Sequence, residues 1–529
     1  MTSKRMTDAQ TAAVNQVEGD LAISAGAGSG KTTVLAHRFA TAMSTTANAS
    51  WAPAAVDQIL TITFTKKAER VRRVVNTEVS REAGRRVGEA WISTFHTFCG
   101  RLVRRHLLES GVEPGFLQLD EVGAASIAAE AFEAACAGLY EEDEDTRRLI
   151  DRWGASTLNA AISAAHENVR AMGLSPAEIK VPNDNAGLAE LLAKSIEAAV
   201  VYSAELAEVK QTPSVAERAA GLSSWCDAMS VCPIDDDLCA RIQERAAEGG
   251  TLRMKSSAAR DDYRCAREAL EMATAAVADP GLYSAMERLL RAYAEQYSAI
   301  KQQRGALDFD DLQERAVSLL TDHPGVAEQY RSRFRMLMVD EFQDTNDLQM
   351  RVLNPLRDDN LCIVGDERQS IYGFRYADVK VFERIRTELG KAIELAENFR
   401  SHPGVMSVVN EMFSMPHLFD PRFMKLAAGR TAGWKLQMAA EAPRVECLLV
   451  GLDAVNIEAA REVEAEHIAK RVAELVSEGE LHGEDIAILL RSGGRASLYA
   501  RALERCGIPV LVSAGASLYD ARETGEILS

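Results

Sequence analysis

Residues 25–32 read AGAGSGKT, between an apolar run from Leu21 to Ala25 and a helical pattern from Thr33 to Met43. This order predicts a buried strand, a glycine-rich turn and a helix in immediate succession. The turn, Ala25, Gly26, Ala27, Gly28, Ser29, Gly30, Lys31 and Thr32 with Thr33 beyond it, offers backbone N–H groups at a helix N-terminus, where the dipole also favours an anion. Triphosphate binding is the expected use. Lys31 is placed to reach the β- and γ-phosphates and the Thr32 hydroxyl to ligate Mg²⁺. Ala25 departs by one residue from the strict pattern, which begins with Gly.

A phosphate loop that hydrolyses its ligand needs a second carboxylate for the metal and a group that activates water. Residues 336–345, MLMVDEFQDT, supply both. Four apolar residues predict a strand, Asp340 at its end faces the metal, and Glu341 polarises the attacking water.

Working outward, Ile59 to Phe64 and Trp91 to Phe95 read as further buried strands, and Leu361 to Val364 as another after Met336 to Val339. This is α/β grammar. Between Leu107 and Arg304 it gives way to Ala- and Glu-rich stretches with helical spacing, as in Ala124 to Leu139 and Tyr283 to Ile300. The run Glu141 to Asp145 reads as a solvated loop. Val445 to Val450 and Ile486 to Leu490 read as strands around a helical stretch from Glu462 to Ser477. Glu523 to Leu528 resembles a helix opening, and an ending inside an element is unusual for a complete domain.

With 60 Lys+Arg against 78 Asp+Glu, the formal charge is −18, which argues against indiscriminate binding to phosphate polymers. One segment differs: from Phe64 to Arg105 eleven basic residues face four acids, a local +7 that suits phosphate contacts. No apolar run of about 18 residues is expected to span a bilayer and no signal-peptide core follows Lys4 and Arg5, so a cytoplasmic location is expected. The nine cysteines include a loose set, Cys226, Cys232 and Cys239, whose spacing fits buried thiols better than zinc.

The order of motifs resembles the UvrD/RecB-like helicases of superfamily 1. Thr7-Asp8-Ala9-Gln10 resembles the Q motif, Ala25 to Thr32 the P-loop, where an initial Ala is normal, Thr63 to Ala68 motif Ia and Ser93 to Phe98 motif Ib. Leu307 to Leu312 resembles the family's DFDDL segment, Asp340 to Asp344 motif II, Val364 to Asp366 with Gln369 to Arg375 motif III, and Glu397 to Ser401 motif IV. Glu367-Arg368 stand where two acids are usual and Phe374 where Trp is common; nothing resembles motifs V and VI.

The resemblance implies a P-loop NTPase fold: two RecA-like parallel-sheet cores, the second incomplete, with a large all-helical insertion. The first core spans 1–106 and 305–393, the insertion 107–304 and the second core 394–529. Gln10 is implied to read the adenine edge, Phe399 to stack on the base, Arg400 to reach the γ-phosphate and Gln369 to sense it. For DNA, Phe64, Tyr372 and Phe374 are the implied stacking platforms, with Thr65, Thr94, His96 and Arg375 along the backbone. The expected function is an ATP- and Mg²⁺-dependent 3′–5′ helicase or translocase on single-stranded or tailed duplex DNA, in repair or recombination, with a possible partner subunit of helicase/nuclease type. The alternative is a non-translocating ATP- and DNA-binding module. A metabolic P-loop kinase would leave the remaining motifs without a role.

Overall fold

Strands form first where apolar runs are covered on both faces. Leu21–Ala25 (β1), Ile59–Ile62 (β2), Trp91–Ser93 (β3), Met336–Asp340 (β6), Leu361–Gly365 (β7) and Ala392–Leu395 (β8) make one sheet in the order β3-β2-β6-β7-β1-β8. Every neighbouring pair is parallel. Both faces are packed: Leu60, Leu337 and Ile363 join one core cluster, while Ile23, Met338 and Val364 join the other. All five residues of β6 and of β7 are buried, which explains their near-continuous apolar sequence.

The computed structural model describes residues 6–44, 52–63, 68–179, 185–208, 213–230, 258–371, 379–415, 423–430, 443–449, 457–478, 481–491 and 493–512. Phe64, Thr65, Tyr372, Phe374 and Arg375 therefore lie outside the described residues, as do Cys232, Cys239 and the stretch Glu523 to Leu528. The chain divides into two compact units, Met1–Arg400 with Asn410–Gly429, and Ser401–Val409 with Arg430–Ser529.

Two strands are shorter than their sequences predict. β2 stops at Ile62 and β3 at Ser93, because Thr94 caps the helix Phe95–Arg105: its hydroxyl accepts from the Thr97 N–H at 3.3 Å. β8 extends the first sheet beyond residue 393 through its ladder to β1, pairing Leu395 with Ala25.

The chain leaves this sheet after Arg105 and returns through a two-stranded ladder, Leu117–Gln118 (β4) beside Ala306–Leu307 (β5). Seven helices of eight residues or more are described between them, from Glu121–Tyr140 to Pro280–Gln303. They pack around two cores, one holding Ile127, Phe132, Leu289 and Tyr293, the other Leu192, Tyr202, Trp225 and Tyr263. The helix Glu121–Tyr140 corrects one expectation: with a mean hydropathy of 1.3 over 18 residues, it is long and apolar enough to cross a membrane. Its alanines account for that value, and Ile127, Ala131, Phe132 and Ala135 are buried in the first of these cores.

At the root of the insertion lies a buried ionic cluster. Arg170 donates to Asp308 at 2.9 Å, Asp311 at 2.8 Å and Glu314 at 2.7 Å, while Lys301 donates to Asp308 at 2.7 Å and Asp311 at 2.6 Å. Burial alone would raise the Asp308 pKa, but Arg170 and Lys301 outweigh it and hold the carboxyl well below the usual range. Burial, with the same two cations, lowers His166 to about 3.

The second unit contains the helices Ile457–Ser477 and Ala496–Arg505, which share a small core of Ala465, Ala469, Tyr499 and Leu503. The predicted strands Val445 to Val450 and Ile486 to Leu490 are not strands among the described residues. Period-two alternation survives at the second, where Ile486, Ile488 and Leu490 pack on the core and Leu489 is 93% exposed. Among the described residues it has no hydrogen-bonded neighbour, and alternation without a ladder does not make a strand.

Candidate functional site

Parallel register carries the carboxyl ends of β1, β6 and β7 to one edge of the sheet, with Ser24 opposite Gly365 and Asp340 opposite Val364. Such an edge is where open α/β sheets bind ligands. The turn after β1 needs two left-handed residues, Gly28 at φ +69° and Gly30 at φ +89°, and Gly30 caps the helix Lys31–Ala42. A Cβ on Gly28 would fall 2.7 Å from Arg400 Cβ and 2.9 Å from Asn398 Nδ2, so only glycine fits there. The Leu426 side chain occupies the space a Cβ on Gly26 would need.

Lys31, Glu341 and Gln369, far apart in sequence, meet in a closed ring. Lys31 Nζ lies 3.0 Å from Glu341 Oε2 and donates to Gln369 Oε1 at 3.2 Å. Gln369 Nε2 donates to Asp366 Oδ2 at 2.7 Å, the Asp366 N–H donates to Gln343 Oε1 at 3.0 Å, and Gln343 Nε2 returns to Glu341 Oε2 at 3.2 Å. Gln343 and Asp366 were not anticipated as site residues, although both lie within quoted motifs. Glu341 sits at φ 51° and ψ 45°, a left-handed conformation that costs a non-glycine residue free energy and recurs where side chains are aimed for chemistry. Asp340, fully buried, accepts from the Glu341 N–H at 3.0 Å. Burial, with Glu341 nearby, pushes the Asp344 pKa up to about 6 against the opposing charge of Lys31.

Among the described residues, buried atoms here without a hydrogen-bond partner include Ser29 Oγ, Asp344 Oδ1 and Thr345 Oγ1. Unsatisfied polar atoms beside two carboxylates and a lysine suit a polar, charged ligand, and the residues fit a magnesium–triphosphate group. Thr32 is half-buried at the second position of its helix. Thr33 accepts from Arg70 at 2.5 Å.

Gln10, implied to read the adenine edge, lies against the phosphate turn. Its Nε2 donates to the Ser29 carbonyl at 2.8 Å and its Oε1 accepts from the Thr7 N–H at 3.0 Å, in a capping box that starts the helix Asp8–Asn15. Phe399 packs against Gly429, and its N–H donates to the Gly28 carbonyl at 2.9 Å. Arg400 belongs to the first unit and is exposed. Thr94 caps the helix Phe95–Arg105, and the His96 ring centroid lies 4.9 Å from that of Phe309.

Residues 6–389 match the UvrD/REP helicase N-terminal domain. The chain is similar to an ATP-dependent helicase/nuclease subunit of Desulforudis audaxviator, with 28% identity over 100% of this chain and 51% of that protein. It is also similar to the ATP-dependent DNA helicase PcrA of Staphylococcus epidermidis, 25% identical over 99% of this chain and 53% of that protein. The ATP-dependent DNA helicase UvrD1 of Mycobacterium bovis is 28% identical over 98% of this chain and 51% of its own length. The chain spans about half the length of these curated relatives.

Proposed function

Because this chain belongs to the UvrD/REP helicase family, we propose that it is the ATP-binding part of a DNA helicase that moves 3′ to 5′ on single-stranded DNA in repair or recombination. The observation that carries this reading is the ring through Lys31, Glu341 and Gln369, which ties the phosphate turn to the segments after β6 and β7. Bound Mg²⁺, held by Thr32 and Asp340, would supply charge neutralisation on the phosphates. Lys31 exchanges Glu341 for the β- and γ-phosphates, which frees the Glu341 carboxylate to orient water and take its proton. Gln369 then loses its lysine partner as well, so occupancy of the phosphate turn alters the segment that leads to Tyr372, Phe374 and Arg375.

In this reading those residues, with Phe64, Thr65, Thr94 and His96, line the single-stranded DNA path by stacking and backbone contacts. Phe399 stacks on the base, Gln10 lies at its edge and Arg400 approaches the γ-phosphate. The six-stranded sheet, β8 included, is the first RecA-like core, the helices from 107 to 304 an accessory insertion, and residues beyond that sheet part of a second core, all in a cytoplasmic protein. One group of relatives is named as helicase/nuclease subunits, which supports a partner for this chain. The test is hydrolysis of Mg-ATP with and without oligothymidylate, followed by unwinding of 3′- and 5′-tailed duplexes. Binding of Mg-ATP and of single-stranded DNA is expected, with slow hydrolysis and no unwinding by these 529 residues, in which nothing resembles motifs V and VI; a chain that binds neither ATP nor single-stranded DNA overturns the proposal.

A further inference from the structure

The carbonyls of the phosphate turn are held from behind. Asn398 Nδ2 donates to the Ala27 carbonyl at 2.6 Å, the Phe399 N–H to the Gly28 carbonyl at 2.9 Å, and Gln10 Nε2 to the Ser29 carbonyl at 2.8 Å. In a trans peptide the C=O and the following N–H point in opposite directions. Fixing these three carbonyls therefore fixes three peptide planes and turns the N–H groups of Gly28, Ser29 and Gly30 to the opposite side. The Ser29 N–H closes the turn on the Gly26 carbonyl at 3.2 Å.

Asn398 is the side chain with two duties. It is 2% exposed, and while its Nδ2 holds Ala27 its Oδ1 accepts from the Arg400 N–H at 2.8 Å. Its own carbonyl accepts from the Gly429 N–H at 2.8 Å, within the ladder of Glu397–Asn398 (β9) and Ala427–Ala428 (β10). The amide thus stands between a rigid ladder and a turn whose glycines would otherwise leave it many conformations. Gly28 allows the approach, since any side chain there would collide with Asn398 and Arg400.

We propose that Asn398 is a positioning residue for ATP: resting on the nucleotide reading above, it presets the phosphate turn before ligand arrives and sets Arg400 in register with it, with Gln10 as the second brace. Preorganisation of this kind appears as affinity, because binding then no longer has to order the loop. Asn398→Ala removes both bonds. Asn398→Asp keeps the size and the acceptor for Arg400 but sets an acceptor against the Ala27 carbonyl.

The experiment measures binding of a fluorescent ATP analogue with Mg²⁺, thermal midpoint without nucleotide, and hydrogen exchange of the turn amides, on wild type, both Asn398 variants and Lys31→Ala. Expected are an affinity loss of about tenfold, roughly one strong hydrogen bond, in Asn398→Ala, and faster exchange at Gly28 to Gly30 in both Asn398 variants without nucleotide. If Asn398→Ala does not fold, faster exchange in Asn398→Asp decides. Wild-type affinity per folded molecule and unchanged exchange, even with a lowered midpoint, would reduce Asn398 to a structural role and overturn the proposal. Failure of the wild type itself to bind the analogue would instead sink the nucleotide reading.

Discussion

At the residue scale, charge and geometry separate the roles of Lys31 and Glu341. Lys31→Ala should abolish ATP binding while leaving single-stranded DNA affinity largely intact. Glu341→Gln should retain ATP and lose turnover by about 10² to 10⁴, the usual contribution of a general base; equal loss of nucleotide affinity in both, by fluorescence titration, would contradict this division. Asp344 supplies a pH test. Its folded pKa of about 6 lies above the ordinary carboxylate value, so the folded state holds the proton more tightly and this residue's contribution to stability declines as pH rises from about 4 through 6. Asp344→Asn should remove that slope, with the variant gaining on wild type in thermal midpoint between pH 4 and 7. Lys31, Glu341 and Gln369 were each legible in the sequence because short motifs name them. Asn398 was not singled out, because its partner Ala27 lies 371 residues away and no spacing rule joins them.

At the scale of elements, continuous apolar runs such as Leu361 to Val364 identify strands because burial on two faces forbids polar residues. Ends were harder to read: Thr94 suits a strand by propensity, yet its hydroxyl serves the next helix. Helical spacing likewise predicted the helices found between Glu121 and Gln303, while their attachment depended on ions that no local pattern reveals. That attachment yields a prediction. Arg170→Ala leaves Asp308 and Asp311 buried with Lys301 as their remaining cation here, and should destabilise by about 3 to 5 kcal/mol, as for other broken buried pairs. In the wild type, stability from the depressed Asp308 is present above the ordinary carboxylate pKa and is lost as pH falls below about 4. Chemical denaturation at pH 7 and pH 3.5 checks both: the gap between wild type and variant should narrow in acid.

For the whole molecule, charge is distributed against the mean. The chain is acidic by 18 charges, yet the Phe64 to Arg105 segment is basic, so added salt should weaken DNA binding steeply despite the acidic total. Among the described residues of the second unit, Leu489 and Leu511 are each 93% exposed while Ile488 packs on the core. Leu489→Lys should lower binding of a hydrophobic dye and change stability by no more than about 0.5 kcal/mol, whereas Ile488→Lys should unfold the unit. The sequence pattern anticipated the alternation but not the missing neighbour, since pairing belongs to two segments and a pattern to one. The β4–β5 ladder has another kind of consequence. Within the first unit, the helices between Glu121 and Gln303 leave and rejoin the rest of the chain through a doorway one strand spacing wide, about 4.8 Å. A cassette mounted on so narrow a doorway can lengthen, shrink or be exchanged by whole helices: the closing entropy rises by only about 0.6 kcal/mol per doubling of length. Evolution or a protein engineer can then change what the cassette touches while the six-stranded sheet keeps its fold.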